Sequence, residues 1–249
     1  EEAWRFTPLR RFSALLDAEA SPAHLAWESS LPAGVVLDEL AADDPFLATL
    51  PLPVDRLSAV ALGRSGGAVR ITVPESVGDE PVVLRLRGDD AAAIVLGHVV
   101  LDVRPFAQAT VVLEHSGSAQ YAEHLSVLVG DGASLRLLHV QGWADDTVHA
   151  AHVAVRVGRD ATFRSFQASL GGGAVRVLET VEYAGPGGDA ELLGIFFSTA
   201  GQHLEHRILV DHAVPHCRSN VLYKGALHGD VEAGESGVAG LAALLLAAA

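Results

Sequence analysis

Four of the chain's 12 histidines and its single cysteine fall in one short stretch, His203-Leu-Glu-His206-Arg-Ile-Leu-Val-Asp211-His212-Ala-Val-Pro215-His216-Cys217. Imidazole and thiolate ligate zinc, iron or copper, which makes His212, His216 and Cys217 the candidate metal ligands. Strand alternation works against the set. Positions 203 and 206 differ by an odd number and face opposite sides of one strand, and Pro215 implies a break before His216. The competing reading has these side chains hydrogen-bonded at strand corners or exposed to solvent. Other chemistries lack their residues. Ser126 or Cys217 could stand beside a histidine, but there is no nucleophile elbow, paired-carboxylate signature or zinc-protease motif. No Gly-Lys-Ser/Thr follows Gly171-Gly172-Gly173, so a phosphate loop is not expected. No catalytic residue is assigned, and the chain is read as not an enzyme.

The elements that carry these residues change character along the chain. Leu9, Phe12, Leu15 and Leu16 recur at helical spacing after Pro8, and further short helices are expected around Leu37 to Ala42 and Asp55 to Leu62. Residues 1–67 are therefore expected to form a helical N-terminal region. From Ala68 the apolar period becomes two, with Val69, Ile71 and Val73 alternating with Arg70 and Thr72. Strands separated by turn residues such as Gly130-Asp131-Gly132 and Gly158-Arg159-Asp160 then continue to about Leu227.

These strands repeat. Shifting His124 to Gln141 by 28 residues superposes His124 on His152, Val127 on Val155, Gly130 on Gly158 and Arg136 on Arg164. Weaker copies lie 24 residues upstream, placing His115 on His139, and 29 residues downstream, placing Asp160-Ala161 on Asp189-Ala190. A fixed interval of this size fits two or three strands per coil, each stacked on its equivalent in the next. The fold is read as mainly β, a parallel β-helix over residues 68–227, with an antiparallel sandwich as the alternative. The recurrent histidines are read as stacked ladders within it. Residues 228–249 form a low-complexity alanine and leucine tail with helix propensity.

The bulk numbers restrict partners and compartment. With 31 acidic against 17 basic residues, a net charge of −14 opposes a nucleic-acid partner. One cysteine excludes an internal disulfide, and no signal segment or membrane-length apolar run is visible, so a cytoplasmic location is expected. The chain contains no methionine, which leads to the expectation that Glu1 is not the natural start.

Three further groups of residues stand out: Glu1-Glu2-Ala3-Trp4-Arg5-Phe6-Thr7-Pro8-Leu9; Val73-Pro74-Glu75-Ser76-Val77 with Pro81-Val82-Val83-Leu84; and Gln202-His203 through His206 with His212, Pro215, Ser219 and Tyr223-Lys224-Gly225. Together they resemble the SufD branch of the SufB/SufD iron–sulfur cluster assembly family. The resemblance implies a right-handed β-helix core and a non-catalytic scaffold role. Its implied partners are a SufB-like homologue and a SufC-like ATPase. The iron–sulfur cluster and ATP belong to the assembled complex, and no cofactor is assigned to this chain alone. His203, His206, His212, Pro215, Ser219, Lys224 and Gly225 are the family-motif positions, read as structural. The exposed strand edges also suit pairing of two copies of this chain. After Leu227 the sequence departs from the family pattern, which leads to the expectation of a truncated or altered end. Two rival readings stand beside this one: a β-helix carbohydrate-active enzyme, for which an aromatic content of 6% is low, and a stand-alone His/Cys metal-binding module.

Overall fold

The computed structural model describes residues 4, 6–19, 21–229 and 242–246. A 3-10 turn over Leu9–Phe12 runs into α1 (Ser13–Leu16), followed by β1 (Ala26–Ser30), β2 (Val36–Ala41), a second 3-10 turn (Pro45–Thr49), α2 (Arg56–Arg64) and β3 (Gly67–Val73). The remaining strands are β4 (Val82–Val103), β5 (Gln108–Val129), β6 (Ser134–Trp143), β7 (Val148–Val157), β8 (Thr162–Ser169), β9 (Ala174–Tyr183), β10 (Asp189–Thr199), β11 (His203–Asp211), β12 (Arg218–His228) and β13 (Ala242–Leu246).

From β3 onward every strand pairs in parallel with its equivalent in the next coil, which makes this part a parallel β-solenoid. Two faces run its length. The first half of β5 continues into β6, β8, β10 and β12, and its second half into β7, β9, β11 and β13. The two faces meet within β5 at Gly117, whose φ of 75° lies in the left-handed region that a glycine enters without strain. On the second face Gln120 pairs with Val148, Val148 with Ala174 and Ala174 with His203, steps of 28, 26 and 29 residues. The 28-residue repeat is thus the physical register, with His124 on His152. The 24-residue match is out of register by two: Ala109 pairs with Leu135, so His115 lies beside Gln141 and His139 beside Leu113. The 29-residue match slips likewise, since Asp189 pairs with Thr162.

Odd-numbered positions from Val111 to Val127 point inward and build the core, in which Val111, Leu113, Leu125, Val127, Leu137 and Val153 are all buried. Each such side chain contributes about 1.5–3 kcal/mol by leaving water. On the first face β6 alternates buried and more exposed positions, whereas β7 is buried at every position from His149 to Val155. The reason is the N-terminal region. Phe12, Leu15, Leu57, Val60 and Ala61 lie against Leu96, Ala122 and Ala150, outward-pointing residues stacked rung on rung, and the small alanines let the helices approach.

The helix expected at Leu37–Ala42 is corrected. This segment is strand β2, antiparallel to β3 with Leu37 opposite Ile71, because the edge of the first coil offers a ladder that a short, proline-bounded helix could not match. β1 likewise pairs antiparallel with β4, so the N-terminal region is a mixed cap and not a helical one. The expected helix after Asp55 is present. Asp55 caps α2 by accepting the Ser58 amide, and the Ser58 hydroxyl accepts the Asp55 amide in return. In the alanine and leucine tail, Ala242–Leu246 pairs in parallel with Arg207–Asp211, so the ladder at the solenoid edge outweighs the helix propensity of that composition.

Candidate functional site

The interior of the solenoid is not wholly apolar. His115 at the end of the first-face half of β5, Tyr121 and Glu123 at the start of its second-face half, His139 and Trp143 on β6, and His149 on β7 all occupy inward positions in phase with the aliphatic core. Glu123 is completely buried, and its ion-pair partners among the described residues are three imidazoles. His115 Nε2 lies 3.3 Å from Oε1, His149 Nε2 3.3 Å from Oε2 and His139 Nε2 3.8 Å from Oε2. Burial alone would raise the Glu123 pKa, but the His115 charge and the bonds from His115 and His149 outweigh it and hold the carboxyl well below its ordinary range. The Tyr121 hydroxyl, 3.4 Å from Glu123 Oε1, is pushed the other way by burial and by the carboxylate. Trp143 Nε1 donates to His149 Nδ1 at 3.0 Å, and Tyr121 stacks on the His149 ring at 5.1 Å.

Two coils further on, a second polar group lies in the same interior. Glu179 is fully buried, and desolvation raises its pKa to about 7 against the opposing effects of Ser165, Tyr223 and Gln167. The Tyr223 hydroxyl donates to it at 3.2 Å. His206, held neutral by burial with a pKa of about 4, packs between the rings of Phe196 and Tyr223.

A third group lies outside the second face, beneath the cap. Arg176 is the rung after Ala150 and before Glu205, and it is 2% exposed. It donates to Asp55 at 2.7 Å, lies 3.5 Å from Glu205 and stacks on Trp4 at 4.3 Å. Thr7 donates to Glu205 at 2.7 Å. The Trp4 and Thr7 positions of the N-terminal motif are therefore docking residues that seat the cap on β9 and β11. Beside them the outward column His98, His124 and His152 meets edge to face, with ring centroids 5.2 and 5.0 Å apart, and is covered by the same cap.

The residues singled out in the sequence are dispersed. His212 Nε2 is 2.9 Å from Ser219 Oγ, His216 sits in a turn with a φ of 64°, and Cys217 Sγ faces the Pro215 and Gly185 carbonyls. These three do not converge on one point. The group whose ligand atoms do come together, all within 4.8 Å, is His115, Glu123 and His149. Of the other motif positions, His203 bonds to Glu205 at 3.2 Å, His206 is interior, Lys224 is exposed, Pro215 lies in the turn before β12, and Gly225 leaves room for the Phe196 ring. Sequence reasoning missed Glu123 and His149 as partners. The usable signal was their parity, since both fall in phase with inward-facing aliphatic residues.

Comparison with known proteins gives a consistent picture. The family described as "SUF system FeS cluster assembly, SufBD core domain" matches residues 85–241. An iron-sulfur cluster assembly SufBD family protein of Mycobacterium bovis is 42% identical over 233 residues, covering 92% of this chain and 58% of that protein. One of Mycobacterium leprae is 43% identical over 235 residues, covering 92% and 59%. The chain thus spans a little over half the length of these relatives. No helix among the described residues is long and apolar enough to cross a membrane.

Proposed function

Because the chain belongs to the SufBD family of iron–sulfur cluster assembly proteins, we propose that it is a non-catalytic scaffold subunit of such an assembly complex, working in the cytoplasm. Its partners in this reading are a homologous SufB-like chain and a SufC-like ATPase, and the iron–sulfur cluster is the complex's cargo. The observation that carries the reading is the family match, which covers the solenoid itself. The fold supplies a surface of the right kind. Among the described residues β12 pairs only with β10, and it carries Leu222 on one side and Leu227 on the other, 51% and 44% exposed. An open strand with exposed apolar side chains is suited to pairing with a strand of another solenoid.

Co-expression with a SufB-like chain and a SufC-like ATPase tests this. The expected outcome is a stable complex by size exclusion that raises the ATPase rate and is weakened at least tenfold by Leu222→Asp. A folded chain that stays monomeric and leaves the ATPase unchanged overturns it.

A further inference from the structure

We infer that the solenoid interior holds one first-row divalent transition-metal ion, with Glu123, His115 and His149 as ligands and His139 as the fourth. The site is independent of the partner assignment above.

Geometry supports it first. Four ligands about 2.0–2.1 Å from a tetrahedral ion lie roughly 3.3 Å apart; His149 Nε2 and His139 Nε2 stand 3.3 and 3.8 Å from Glu123 Oε2, His115 Nε2 stands 3.3 Å from the other oxygen, Oε1, and the ligand atoms of His115, Glu123 and His149 all lie within 4.8 Å of one another. The His149 Nε2 and Glu123 Oε2 atoms lie side by side in the closed interior, where an ion would take the place of the proton between them.

Unused bonding capacity supports it independently. Both nitrogens of His139 are buried with no hydrogen-bond partner among the described residues. A purely structural polar cluster would satisfy such groups, because leaving each one unbonded costs about 1–3 kcal/mol. Charge leads the same way. The fully buried carboxylate has only imidazoles as ion-pair partners among the described residues, and a divalent ion would take over the counter-charge that His115 otherwise supplies.

The donor set selects the ion. One carboxylate among nitrogen donors does not suit calcium or magnesium, which take oxygen ligands, and the absence of sulfur does not suit copper(I). A cavity lies on the far side of the Tyr121 ring from the cluster. Its volume is about 500 Å³, and between the cap strands and the first coils it is lined by His24, Trp27, Glu39, Gly97, His98 and Tyr121, among others. The Tyr121 ring reaches from this cavity to Glu123 and stands between the two.

One bond opposes the ion and becomes its reporter. With Trp143 donating to His149 Nδ1, the ring proton resides on Nε2. An ion bound at Nε2 moves that proton to Nδ1 and breaks the indole bond, with no net proton lost from the ring.

The test is titration of the chelator-treated, tag-free full chain with Co²⁺, followed by competition with Zn²⁺. The expected result is one Co²⁺ per chain, visible bands of nitrogen and oxygen coordination, and a change in tryptophan emission that is absent in Trp143→Phe. Trp143→Phe should bind about fivefold more tightly, having lost the competing bond. Glu123→Gln and His115→Gln, each shown by circular dichroism to fold, should weaken binding at least tenfold, while His212→Gln and Cys217→Ser should not. No saturable binding, binding that survives both folded ligand variants, or binding lost in Cys217→Ser overturns the inference. All measurements use the isolated chain, so a failure here leaves the partner reading standing, and a failure to form a complex leaves the metal site standing.

Discussion

Arg176 and Asp55, 121 residues apart, meet at 2.7 Å with side chains 2% and 4% exposed, so the cap and the solenoid share one buried ion pair. Breaking it leaves Asp55 and Glu205 as buried anions short of their cation. Arg176→Ala is expected to lower stability by about 3–5 kcal/mol. The urea midpoint should fall and amide exchange should rise first in α1 and α2, since these hold the cap to the outer face. Loss of stability without exchange in the cap would contradict this account.

Glu179 stores the opposite kind of strain. Its pKa of about 7 in the fold exceeds the ordinary carboxylate value, so the native state keeps a proton that the unfolded chain has released. That group's contribution is present below about pH 4.5 and is lost as pH rises through 7. Glu179→Gln, which keeps an acceptor for Tyr223, should therefore raise stability at pH 8 by about 2 kcal/mol. The difference between variant and parent should vanish near pH 4.5 in denaturant titrations.

Five histidines act in the other direction. Burial depresses the pKa of His98, His139 and His152 to about 3 and that of His124 and His206 to about 4. Unfolding below pH 6.5 lets each take up a proton, so their contribution is complete above 6.5 and is lost as the solution is acidified. In the presence of chelator the unfolding midpoint should drop steeply between pH 6.5 and 4. Replacing His124, which is fully buried beneath the cap, by Leu should remove about one proton from the uptake measured in this range.

Stacked coils leave little room where a ring crosses the ladder. A Cβ at Gly194 would run into the Tyr223 ring of the next coil, so Gly194→Ala should cost about 1–3 kcal/mol and release the Tyr223–Glu179 bond. Gly63, in the last turn of α2 with nothing within 4 Å of its Cβ position, provides the contrast. Gly63→Ala should stabilise by about 0.5–1 kcal/mol. Thermal melts of the two variants should move in opposite directions.

The sequence by itself determined the solenoid. Period-two alternation from Val69 and the recurrence of His124 at His152 are local and repetitive signals, and a parallel ladder preserves them because each residue stacks on its equivalent. The helix around Asp55 to Leu62 was legible for the same reason, as the hydrogen bonds of its Asp55 cap span three residues. Tertiary structure decided the rest. Only the available edge of β3 turned Leu37 to Ala41 into a strand, and only the cap buried the outward rungs Arg176, His98 and His124. The meeting of His115, Glu123 and His149 depends on a chain that turns a corner at Gly117 and comes back one coil later. Spacing along the sequence drew attention to His212, His216 and Cys217, which are close in the chain, whereas the residues that converge are brought together by the closure of a coil.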